Sequence, residues 1–130
     1  MGYEIIWEER GVLKHFVGHI TNDDLAKCST AIQSDARLDM LRYVINDFRD
    51  CIDFATTDPA LIEMAAIDEV AFVKHPSVKI AIVTSDREAI RIGKQYAIHH
   101  QYARQVQVLS TMDDARAWVG LPALSIMQRN

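Results

Sequence analysis

Tyr43-Val44-Ile45-Asn46-Asp47-Phe48 decides the fold. Apolar β-formers run into Asn-Asp, about ten polar-rich residues follow, and then comes a strongly apolar stretch. That order reads as a strand over 42–47, a loop over 47–58 and a helix over 59–74. In an open α/β sheet, this carboxyl edge of a strand is where ligands and partners sit.

Working outward, 3–8 and 12–17 alternate apolar and polar residues around Glu9-Arg10-Gly11, which predicts an antiparallel hairpin. Beyond it helix and strand alternate. Further helices are expected at 22–34, 86–102 and 112–119, and further strands at 78–84 and 105–109. Strands separated by helices pair in parallel through right-handed crossovers. Thr21-x-x-Asp24, Ser85-x-x-Glu88 and Thr111-x-x-Asp114 have the pattern of capping boxes, and Asp58-Pro59 suits the start of the second helix. The expected architecture is a five-stranded mixed sheet, an N-terminal hairpin followed by repeated βα units, with four main helices. Residues 1–130 form a single α/β domain in this reading, with 121–130 as an apolar C-terminal tail.

Composition narrows the function. The chain has 49% hydrophobic and 25% charged residues, ordinary for a soluble globular domain, and a formal charge of -4. No basic stripe offers a nucleic-acid surface, and no apolar run reaches the roughly 18 residues of a membrane span. Two cysteines are too few for a disulfide framework, so a cytoplasmic setting is expected.

Candidate chemistry gathers around the polar loop. Asn46, Asp47, Asp50, Asp53 and Asp58 supply the oxygen a hard cation wants, but their spacing lacks the glycine turn and closing glutamate of a calcium loop. Cys51 lies between Asp50 and Asp53 in sequence, which disfavours a thiolate. His15 and His19, about 13 Å apart on an extended segment, cannot chelate one ion together. The five glycines are dispersed, so no phosphate loop exists, and there is no Gly-x-Ser-x-Gly or Cys-x-x-Cys. No catalytic, cofactor-binding or metal-binding set is expected. Ten of the residues 61–73 are apolar, more than one sheet-facing stripe requires. Met64, Ile67 and Phe72 are therefore candidate anchors for a partner, with Asp47, Asp50, Thr56 and Thr57 as polar contacts.

The strand order resembles the STAS domain, the SpoIIAA-like fold of anti-sigma-factor antagonists. Glu4-Ile5-Ile6-Trp7-Glu8-Glu9-Arg10-Gly11, Arg42-Tyr43-Val44-Ile45-Asn46-Asp47-Phe48, Ala65-Ala66-Ile67-Asp68 and Asp114-Ala115-Arg116-Ala117-Trp118 are similar to uncharacterised bacterial STAS/SEC14-like single-domain proteins. The resemblance spans about residues 3 to 119 and implies a regulatory or interaction module with a protein partner or a homodimer. Aligning Asp47-Phe48 with the Asp-Leu of the antagonists puts Ala55-Thr56-Thr57-Asp58 at their Asp-Ser-Ser-Gly phosphorylation motif. Both hydroxyls are kept, while the acid and the glycine are replaced. By that resemblance Thr56 and Thr57 are the phosphorylation positions. Two alternatives stand beside it: a carrier of a small apolar ligand or lipid, implied by the SEC14-like likeness, and, behind that, a metal-dependent enzyme.

Overall fold

The computed structural model describes residues 2–55, 60, 63, 65, 66, 68, 72, 75, 77–99 and 105–120. Five strands, β1 (Tyr3–Trp7), β2 (Gly11–Thr21), β3 (Tyr43–Ala55), β4 (Lys79–Val83) and β5 (Val106–Leu109), lie side by side in chain order. β1 and β2 are antiparallel, and every later pairing is parallel. Three helices are bounded among the described residues rather than the expected four: α1 (Asn22–Gln33), α2 (Arg87–His99) and α3 (Met112–Gly120). Of the expected helix at 59–74, residues 60, 63, 65, 66, 68 and 72 are described, and each is helical. A 3₁₀ turn at Ala36–Met40, absent from the expectation, leads into β3.

Local chemistry accounts for the ends. Thr21 and Asp24 exchange hydrogen bonds, Asp24 N–H to Thr21 Oγ1 and Thr21 N–H to Asp24 Oδ2, so the first capping box forms as read. The Thr111 hydroxyl accepts from the Asp114 N–H at the start of α3. At α2 the cap falls one residue later than expected. Asp86, not Ser85, accepts the Ala89 N–H, while the Thr84 hydroxyl accepts the Asp86 N–H.

Alternation along the strands splits the apolar residues between two faces. Val12, Val44, Ile80 and Ile82 pack with Ile32, Phe72 and Tyr96 on one side. Ile45, Ala81 and Val83 meet Ala115 and Val119 of α3 on the other. β4 is buried on both faces, as the unbroken apolar run in its sequence requires. Phe16 of β2 and Phe48 of β3 stack with ring centroids 4.5 Å apart, closing the core near α1.

The largest departure from the sequence reading is the length of β2 and β3. β3 continues eight residues past Asp47, to Ala55, where a loop was expected. It stays paired with β2 through two register shifts, between His15 and Val17 and between Gly18 and His19. Each shift places one extra β3 residue against β2, a bulge that interrupts the period of two. Gly18, at φ +78, sits at the second shift, where a side chain would be strained.

α3 is tied to the hairpin by charge. Arg116 Nη1 and Nη2 lie 2.5 and 2.6 Å from the two Glu8 carboxylate oxygens, and the Tyr43 hydroxyl also donates to Glu8. These contacts, with the Arg116 hydrogen bond as the largest influence, hold the Glu8 carboxyl below its ordinary value. A lowered folded-state value stabilises the fold fully above the unfolded value, near 4, and that stabilisation disappears as pH falls through the folded value. Glu8→Gln is expected to lower stability by about 1 kcal/mol at pH 7, the partly exposed guanidinium limiting the effect. Urea unfolding should show that difference shrinking as pH falls below about 4.

Candidate functional site

Two places collect polar residues, one on each face of the β2–β3 ribbon. On the face opposite α1, His15 Nε2 hydrogen-bonds Asp50 Oδ2 at 2.6 Å, and His19 Nδ1 hydrogen-bonds Asp53 Oδ1 at 2.8 Å. Both pairs bridge the strands, because the first bulge brings Asp50 level with Val17, beside His15. Asp47 is buried and held by Arg49, which donates from Nε and Nη2 to its two oxygens, each at 2.9 Å. Burial pushes the Asp47 carboxyl upward, but the Arg49 side-chain and backbone hydrogen bonds outweigh it, and the net direction is down.

Asp47, Asp50 and Asp53 of the expected loop are thus strand residues, each engaged. No group of three or more potential metal ligands occurs among the described residues. Thr56, Thr57, Met64 and Ile67, like Asp58, lie outside the described residues. Phe72, expected as an anchor for a partner, is buried in the core beneath the sheet and lines a cavity there.

Apolar side chains stand on the same ribbon. Ile6 is 39%, Val17 46% and Ile52 73% exposed. α3 packs on this side of the sheet, but its partners are Leu13, Tyr43, Ile45, Ala81, Val83 and Leu109, toward the other edge. Among the described residues, no helix packs on this side against the part of the ribbon around Val17 and Ile52.

The second place is a cavity of about 60 Å³ between the sheet and the helices. Asp68 accepts from Gln33 Nε2 at 2.9 Å and from the Tyr96 hydroxyl at 2.6 Å. Those bonds join α1, the helical residues around 68, and α2 beneath one sheet face. Burial first, and Asp68 second, push the Tyr96 hydroxyl well above its ordinary value, so it remains a donor. Asn46 Nδ2 donates to the Ala81 carbonyl at 3.3 Å. Lys14 and Ser29 complete the polar lining. Neither was singled out from the sequence, yet the alternation Val12, Lys14, Phe16 places Lys14 on the core face of β2.

The cysteines are not poised to react. Cys28 is fully buried, and burial is the main cause of its raised thiol value. Burial, then Asp47 and Asp50, push Cys51 up to about 12. Alkylation of Cys51 by iodoacetamide at pH 8 should run on the order of a hundredfold slower than that of an unperturbed thiol. Mass spectrometry of timed aliquots reads the rate.

No family model and no curated protein matches the chain. Solved structures do. The unphosphorylated form of the anti-sigma factor antagonist SpoIIAA superposes with a TM-score of 0.58 at 10% identity, covering 92% of this chain and 99% of that one. An uncharacterized protein of the DUF3478 family from Shewanella loihica PV-4, itself described as SpoIIAA-like in fold, gives 0.54 at 15% identity, covering 90% and 91%. At such identities the likeness is one of architecture. The chain has the SpoIIAA-like fold.

Proposed function

We propose that the chain is a non-catalytic interaction module that docks a protein partner, or a second copy of itself, on the uncovered side of the β2–β3 ribbon. The observation that carries this reading is Ile52, an isoleucine 73% exposed in a paired strand, with Val17 and Ile6 also exposed on the ribbon and hairpin. An apolar surface rimmed by charge is a common mark of protein contact. Asp50 and Asp53, held in place by His15 and His19, supply the polar rim. Asp47 contributes at one remove, by fixing Arg49 at the surface. The likeness in fold to a protein described as an anti-sigma factor antagonist supports the same class.

Thr56 and Thr57 follow the ribbon directly in sequence and extend the proposed contact, with Met64 and Ile67 as apolar anchors from the second helix. Phosphorylation of either threonine would add about two negative charges and could switch docking. An intact mass about 80 Da above the calculated value would reveal it.

Ile52→Asp should weaken association at least tenfold, about 1.4 kcal/mol, and leave the urea midpoint nearly unchanged. Sedimentation velocity across a concentration series reads self-association, and titration of any captured protein reads a heterologous one. Ile67→Asp should likewise disturb association more than folding. A monomeric chain whose captured partner binds wild type and Ile52→Asp equally would contradict the ribbon as the docking surface.

A further inference from the structure

The cavity beneath the sheet has a feature that the outer surface does not explain. Lys14 is only 8% exposed and lines the cavity, yet among the described residues its amine makes no hydrogen bond or ion pair. Ser29, 5% exposed and on the same wall, has a buried hydroxyl with no hydrogen-bond partner. Both residues line this one cavity. A buried cation is costly unless paired, and a buried hydroxyl left without a bond loses free energy as well. An unpaired lysine and an unmet hydroxyl in the walls of one cavity mark the place where an acceptor would be held.

The remaining walls limit what that acceptor is. Asp68, the acid that lines the cavity, already receives hydrogen bonds from Gln33 and Tyr96 and makes no ion pair with Lys14. The Asn46 amide is turned to the Ala81 carbonyl. Leu25, Phe72, Ile82 and Ile92 make the rest of the surface apolar. A space of about 60 Å³ admits a small organic molecule rather than a single water. An anion with a short hydrocarbon body satisfies all of these conditions, whereas a bare inorganic anion would leave the apolar walls unfilled.

We propose that this cavity binds a short aliphatic monocarboxylate, its carboxylate held by Lys14 Nζ and Ser29 Oγ and its chain seated among Leu25, Phe72, Ile82 and Ile92. The lysine supplies charge and up to three donors, the serine a further donor, and a carboxylate has acceptor positions for all of them. Lys14 is then a residue kept for binding at a cost to the empty fold. This site does not depend on the docking surface of the ribbon, and either can stand without the other.

The test uses the whole chain and hexanoate, with 1-hexanol and acetate as matched probes lacking the charge and the tail. Calorimetric titration, with amide chemical shifts to locate the site, should show saturable hexanoate binding that moves the Lys14 and Ser29 signals. Hexanol and acetate should each bind at least tenfold more weakly. Lys14→Met, which keeps the stem, should weaken hexanoate at least tenfold and raise the melting temperature of the ligand-free protein, because it removes an unpaired buried charge. Ser29→Ala should weaken binding about fivefold. The proposal is overturned by the absence of saturable hexanoate binding up to about 10 mM, by equal affinity for either probe, or by Lys14→Met binding as wild type does. A fall in the ligand-free melting temperature of Lys14→Met would also overturn it, by showing that the lysine holds the fold. If Lys14→Met does not fold, Ser29→Ala and the three-probe comparison on the natural chain decide the matter.

Discussion

The parallel pairing of β2 with β3 is the constraint on which the rest of this structure depends. It runs from Gly11 opposite Tyr43 to Thr21 opposite Ala55, longer than any other pairing in the sheet. Because side chains alternate across a strand, register decides which chemistry lands on which face. In the observed register Lys14, Asn46 and Phe48 line the cavity, while His15 and Asp47 turn the other way. A slip of one residue in either strand would exchange the buried and exposed sets. The Phe16–Phe48 stack and the two His–Asp pairs each oppose such a slip, one from within the core and the others from the surface.

Hydrophobic contacts support this pairing unevenly, and that unevenness separates the two places of interest. Under one face, α1, the helical residues around 68 and α2 converge on the sheet, with Asp68 as the polar node that joins them. On the other face, α3 covers the far half and is fastened to the hairpin by Arg116 on Glu8. The near half, around Val17 and Ile52, receives no helix among the described residues. One face thus offers a cavity lined by an unpaired lysine, and the other an open apolar strip with a charged rim.

Much of the architecture was legible in the sequence. The hairpin, the order of strands and helices and the Thr21 cap follow from period, propensity and capping chemistry, all local signals. Glu8, Tyr43 and Arg116, which meet in the structure, fall in three of the segments quoted for the family resemblance. The extension of β3 was not legible. Asp50 and Asp53 look like loop acids because their partners, His15 and His19, lie 35 and 34 residues away. The bulges also break the alternation that would have marked a strand. Lys14 was readable in principle from Val12 and Phe16 on either side, but a lone lysine in a strand is ordinarily at a surface, and only the packed helices reveal its burial.

The central claim is that residues 48–55 form a paired strand, not a loop, and native-state hydrogen exchange followed by NMR tests it directly. The hydrogen-bonded amides of β3 beyond Asp47 should be protected by more than about a hundredfold, close to those of β2 opposite them. Exchange of the amides from Asp50 to Ala55 at the rate of an open loop would contradict the β2–β3 register, and with it the placement of the ribbon surface.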